Sequence, residues 1–152
     1  GAGAQAARRY AAMGKAFGTG GQIASDCYEL LEDPEARDLR QGTLTLPLAL
    51  HLSRLAGAEK TSFRKRLARA RTSVRSRDQI RRHVRSSGAL RMAVFAVETC
   101  RQRALRELEG ARPAAAGRNR LIKLIDSISF FGDRPECRGE SPALPRRPSS
   151  PR

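Results

Sequence analysis

Apolar residues along this chain recur at helical spacing and nowhere alternate with a period of two, which restricts the fold to helices packed on helices. The sharpest stretch is Leu90 to Leu108, where Leu90, Val94, Val97, Ala104, Leu105 and Leu108 define one face. Ser86-Ser87-Gly88 bounds it on one side and Gly110 on the other. A second run, Leu44 to Leu55, places Leu44, Pro47, Leu48, His51, Leu52 and Leu55 at helical spacing. Pro47 falls in or near its first turn, where a missing N–H does least harm. His51 lies on the apolar face and is expected to be a core histidine with its ring satisfied. After Pro113 a short helix from Arg118 to Phe131 presents Leu121, Leu124, Ile125 and Ile128. The segment Phe63–Arg85 is densely basic, with Leu67, Ala70, Val74 and Ile80 as its sparse apolar positions. It reads as one helix or two, with a single shallow buried stripe.

The first helix, Gln5 to Glu32, has a glycine-rich middle: Gly14, Gly18, Gly20 and Gly21. Glycine costs about 1 kcal/mol relative to alanine inside a helix, so this density demands either close packing against a neighbour or a break. A loop from Asp33-Pro34 to Gln41-Gly42 follows. Beyond Gly132 the composition turns to proline, serine, arginine and glycine, which bury too little surface to offset their ordering entropy. The expected organisation is an all-α body over residues 1–131 and a disordered tail over 132–152.

Lysine and arginine number 30 against 15 acidic residues, a formal net charge of +15. The excess is mostly arginine, which suits phosphate contacts and is equally what a GC-rich genome encodes. The run Arg64–Arg85 invites a nucleic acid or an anionic lipid. It lacks interleaved aromatics, a helix-turn-helix and zinc ligands, so nucleic acid is not the expected partner. Cys27, Cys100 and Cys137 are odd in number and have no CxxC spacing, so neither a zinc site nor a disulfide framework is expected, and a reducing cytoplasm is the simplest setting. No signal peptide opens the chain, and no apolar run approaches the roughly 18 residues that a membrane span needs. The opening Gly-Ala-Gly-Ala-Gln has no initiator methionine and runs straight into a helical pattern, as expected of a fragment or a processed chain.

The stretch that carries chemistry is Gly14–Leu50, GKAFGTGGQIASDCYELLEDPEARDLRQGTLTLPLAL. Glycines at 14 and 18 precede Gln22-Ile23, then Ser25-Asp26-Cys27-Tyr28-Glu29, then Asp38-Leu39-Arg40-Gln41-Gly42 and Thr45-Leu46-Pro47. In that order and spacing the stretch resembles the second half of the trans-isoprenyl diphosphate synthases, the polyprenyl synthetase family. Ser25 to Glu29 occupies the family's DDxxD slot, and Asp38 to Pro47 its D-x-x-x-G-K-x-T-L-P turn. Fainter likeness continues through Ser87-Gly88-Ala89-Leu90, the helix to Leu108, and Arg120-Leu121 onward.

The resemblance implies an isoprenoid-synthase-type helical bundle that condenses isopentenyl diphosphate with an allylic diphosphate, with Mg2+ as cofactor. Loss of diphosphate concentrates negative charge, which Mg2+ held by carboxylates neutralises. By the same resemblance Asp26 and Glu29 are the catalytic metal ligands and Ser25 a weaker third. Gln22 lies in the allylic pocket, Asp38 supports the metal–water network, and Arg37 contacts substrate. A homodimer or a partner subunit is implied too, since the family's first aspartate-rich motif is absent from this chain. The chain alone is expected to be inactive.

Several positions depart from the family pattern. Ser25 replaces an aspartate, Asp33 and Thr43 stand where phosphate-binding lysines belong, and Gly21 replaces an aromatic. These leave open a non-catalytic subunit that supports a partner synthase. Read without the resemblance, Asp26 and Glu29 are solvated helix charges, Asp38 closes a loop, and Arg37 and Arg40 face solvent. Cys27 is expected to be a small helix filler, because no histidine is placed to activate it, and His83 shows no sign of a partner.

Overall fold

The computed structural model describes residues 2–131. The segment 132–152, expected to be a disordered tail, lies outside the described residues, as does Cys137. Seven helices and no strand make up the described part: α1 (Ala2–Leu31), α2 (Arg37–Gln41), α3 (Leu46–Arg54), α4 (Gly57–Ala70), α5 (Val74–Ser86), α6 (Ala89–Ala111) and α7 (Ala115–Asp126). The all-α expectation holds. No helix among the described residues is long and apolar enough to cross a membrane.

The two longest helices, α1 and α6, lie side by side and antiparallel. Arg9 near the start of α1 reaches Glu107 near the end of α6 at 2.8 Å, while Gly20 lies against Val97 and Cys100. The buried stripe on α1 is Ala16, Gly20, Cys27 and Leu30; on α6 it is Ala89, Ala93, Val97, Ala104 and Leu108. Small residues in these rows let the helix axes approach closely, because interaxial distance is set by the side chains at the contact. This settles the glycine question for α1. The helix runs unbroken, and close packing explains Gly20, where a Cβ would meet Ile128 and Cys100, but not Gly14 or Gly18, which face open space.

Two clusters flank this pair. At the carboxyl end of α1, Leu30, Leu39, Leu48, Leu52, Phe63, Ile80 and Val84 form the larger core. At the other end Ala16, Ala104, Leu108 and Ile125 form a smaller one, with Met13, Phe17 and Leu121 packed against it. The basic segment is two helices, α4 and α5, broken at Thr72-Ser73, where the Ser73 hydroxyl accepts from the Ser76 amide at 3.2 Å. Its stripe is deeper than expected, since Phe63, Ile80 and Val84 are buried almost completely. Val74, expected inside, is exposed, and so are Leu44 and Leu124. Leu44 falls before α3 begins, so helical spacing does not govern where its side chain points.

Pro34 ends α1 because it cannot extend the hydrogen-bond ladder. The freed carbonyls are then taken by α5. Arg81 Nε donates to the Leu30 carbonyl at 2.8 Å and Arg85 Nη2 to that of Leu31 at 3.2 Å, and Arg81 also donates to the Asp33 carbonyl. Cations at a helix carboxyl end answer both its unpaired acceptors and its dipole.

The end of α7 is tied to α6 by a polar network. Arg101 donates to Glu98 and to Asp126, each at 2.7 Å, and the Ser129 hydroxyl donates to Glu98 at 2.6 Å. Burial works against the Glu98 charge, but the bonds from Ser129 and Arg101 outweigh it and hold the carboxyl below its ordinary value of 4.5. A carboxylate with a lowered folded pKa contributes stability that is present above its unfolded value and lost as pH falls through the folded one. Thus Glu98→Gln is expected to cost about 1–2 kcal/mol near neutral pH. The difference from the unmutated chain should shrink as pH falls from 4.5 through the lowered folded value, as read by urea melts.

Candidate functional site

Gln22, Ser25, Asp26 and Glu29 are spaced at three, four and seven residues on α1, so they share one face of the helix. Gln22 Nε2 donates to Asp26 Oδ1 at 2.7 Å, which fixes one carboxylate oxygen and orients the other. Asp26 and Glu29 are half-buried; Gln22 and Ser25 are exposed.

Asp38 follows on α2, after the turn that ends α1. The Asp33 carboxylate builds that turn by accepting from the Glu35 amide at 3.0 Å and from Arg37 Nε at 3.4 Å. The Glu35 amide first, and then Arg37, hold Asp33 below the usual carboxylate range against the opposing effect of burial. Ala36, buried, takes a left-handed conformation at φ 47° to carry the chain into α2. At the other end of α2 the amides of Gly42 and Thr43 both donate to the Asp38 carbonyl at 2.9 Å, and Gly42 supplies the positive φ of 80° that closes the helix.

Burial pushes the Asp38 carboxyl up, and the negative charges of Glu29 and Asp26 push it further, with Arg37 only partly offsetting them. Asp26, Glu29 and Asp38 therefore form one electrostatic neighbourhood, built from the end of α1 and from α2. Arg37 acts on Asp38 only through its charge: its bond is to Asp33, and its side chain is 68% exposed. Asp33, at the position where the resemblance would place a phosphate-binding lysine, is a turn-forming residue. Thr43, at the second such position, is exposed. Thr45 is buried at the N-cap of α3, yet its hydroxyl caps nothing and has no hydrogen-bond partner.

Among the described residues no three His, Cys, Asp or Glu side chains stand close enough to hold a metal ion by themselves. Magnesium bound with a phosphorylated substrate commonly takes only one or two carboxylates, the remaining ligands being phosphate oxygens and water. Asp26 and Glu29 offer two hard carboxylates on one face of α1. Ser25, four residues before Glu29 on the same face, adds a neutral hydroxyl.

The Cys27 thiol is buried, and burial, followed by the charge of Asp26, pushes it up to about 11. It fills space between α1 and its neighbours, as expected of a thiol held in its neutral form. The basic run has a structural use that its composition hid. Besides Arg81 and Arg85, Arg77 donates to the Ala70 carbonyl at 2.8 Å and Arg66 to His83 Nε2 at 2.8 Å. Four guanidinium groups of the supposed polyanion surface thus answer acceptors inside the fold. His51 is buried as expected, but both its ring nitrogens lack partners, contrary to the expectation of a satisfied ring. Its neighbour His83 lies on a different helix, and nothing in the local sequence of either residue joins them. Comparison with protein-family models, with curated proteins and with solved structures returned no match to this chain.

Proposed function

We propose that this chain supplies one wall of a magnesium-dependent prenyltransferase, condensing isopentenyl diphosphate with an allylic diphosphate. The observation that supports the reading is the face of α1 shared by Gln22, Ser25, Asp26 and Glu29, with the Asp38 carboxyl of α2 under the influence of the last two charges. Asp26 and Glu29 would hold Mg2+, which when bound neutralises the diphosphate and favours its departure. Gln22 holds Asp26 in place, and from its exposed position it would border an allylic chain. Asp38, with a raised carboxyl, would take a hydrogen bond from metal-bound water rather than bind the ion directly.

An allylic cation is quenched by water, so the reaction requires a closed site. The face bearing Gln22 and Ser25 is exposed, with Tyr28 beside it at 54% exposure. This openness fits a division of labour in which a second helical unit covers the face and brings further carboxylates. It also supports the second reading, a degenerate subunit that completes a partner synthase, because Ser25 contributes no charge.

The test is a titration of geranyl diphosphate into the chain with and without Mg2+, by calorimetry. Binding is expected to need Mg2+ and to weaken about tenfold in Asp26→Asn, the loss of one charged ligand. Binding that is indifferent to both Mg2+ and Asp26 would overturn the reading. A prenyltransfer assay on the chain alone, on an upstream-extended chain and on mixtures with a competent synthase then separates truncated enzyme from supporting subunit.

A further inference from the structure

A cavity of about 400 Å3 opens between the end of α3, α4 and α5, lined by apolar Leu55, Ala58 and Phe63 and by polar Ser62, Arg66 and His83. His51 lines it as well, and it is the anomaly of the fold. The residue is 4% exposed, and neither Nδ1 nor Nε2 has a hydrogen-bond partner. Buried polar atoms are almost always paired, so an orphan imidazole beside a cavity calls for a group that is absent from the fold itself. Its ring packs edge-on against Phe63, with centroids 4.4 Å apart, and lies 6.4 Å from the ring of His83.

The neighbouring groups define the chemistry. Arg66 donates to His83 Nε2, so that nitrogen is an acceptor and Nδ1 carries the proton that it donates to the Gln79 carbonyl at 2.6 Å. Both ring nitrogens of His83 are thus engaged. One Arg66 bond leaves other guanidinium donors for a ligand. Burial, and then the proximity of His83 and of Arg54 on α3, keep His51 below the ordinary imidazole range of 6.5. A negative group placed beside it would reverse that effect. Glu59 is the one acidic residue lining the cavity; it is exposed and lies two turns, about 10 Å, from Arg66 along α4. The cavity lining thus combines a guanidinium and two imidazoles with apolar side chains.

We propose that this cavity binds a small organic acid, its carboxylate against His51 and Arg66 and its compact apolar body among Leu55, Ala58 and Phe63. The carboxylate accepts from the protonated ring of His51 and from Arg66, and binding takes up a proton. The inference is independent of the Asp26 site, which lies on other helices.

Benzoate is the probe, with acetate as head without body and benzyl alcohol as body without charge. The histidine ring signals are followed by NMR without Mg2+. Benzoate is expected to shift the His51 resonances saturably, with a dissociation constant on the order of 1 mM, and more tightly at pH 5.5 than at pH 7.5, by about tenfold at most. Acetate and benzyl alcohol should each bind at least about tenfold more weakly. His51→Phe, which keeps a ring against Phe63, and Arg66→Met should each weaken benzoate about tenfold. Should one of these fail to fold cooperatively, the other carries the test. Asp26→Asn should leave benzoate binding unchanged, which keeps this result separate from the prenyltransferase reading. Absence of a saturable shift, equal affinity for benzyl alcohol, or binding unaffected by both variants would overturn the proposal and leave the His51 nitrogens to a buried water.

Discussion

Phe63→Ala is expected to lower the unfolding free energy by about 3–5 kcal/mol, the range for removing a large ring from a packed core. Phe63 is 2% exposed and belongs to the larger core, which Leu48, Leu52, Ile80 and Val84 share. Its ring also lies edge-on to His51 and tilted to His83 at 6.2 Å, so three helices meet around it. What raises the cost is the poverty of the rest of α4. Phe63 and Ala70 are the only fully buried residues of that helix, and arginine and lysine dominate its remainder. Deleting the ring therefore leaves a cavity and loosens most of the apolar attachment of α4. For a domain whose total stability falls in the usual range of about 5–15 kcal/mol, such a loss approaches global unfolding. Urea denaturation should show a lower midpoint at similar slope, and Phe63→Leu should recover most of the loss. A loss under about 1 kcal/mol would mean that α4 is not docked as described.

The contrast between α4–α5 and the rest of the fold shows what a sequence conveys. Helices α3 and α6 were legible because their apolar positions repeat at helical spacing, and burial alone explains those stripes. In α4 and α5 the apolar positions are few, and the reading of one shallow stripe followed from counting them. It missed that Phe63, Ile80 and Val84 are buried almost completely and that arginines at 66, 77, 81 and 85 find acceptors within the fold. A guanidinium destined for a helix-end carbonyl looks the same in sequence as one destined for solvent. For the candidate site, the shared helix face of Gln22, Ser25, Asp26 and Glu29 follows from spacing alone. The placement of Asp38 depends on the Asp33 turn and the left-handed Ala36, which no periodicity encodes. The proximity of the His51 and His83 rings, and the Glu98–Arg101–Asp126–Ser129 network, join residues distant in sequence and were not legible at all.

Gly20→Leu should cost about 3 kcal/mol or more, the upper end of what overpacking a close contact exacts. At Gly20 even a Cβ would sit 2.7 Å from Ile128 Cδ1 and 2.9 Å from Cys100 Cβ, with the Val97 carbonyl at 3.6 Å. The isoleucine tip can swing aside. Cys100 Cβ cannot move without its backbone, so α6 must shift away from α1. Because that pair is the spine of the fold, the displacement would be felt in both flanking cores. Gly20→Ala poses the same question with the smallest possible side chain: the gain in helix propensity of about 1 kcal/mol acts against the contact. We expect the contact to prevail, giving net destabilisation. Gly18→Ala, two residues away on the same helix with nothing within 4 Å, should instead raise stability by about 0.5–1 kcal/mol. Opposite signs at Gly18 and Gly20 in thermal melts would locate the close approach of α1 and α6 at Gly20. Gains at both positions would mean that the two helices lie farther apart than described, and the carboxylate face of α1 would then need to be placed anew.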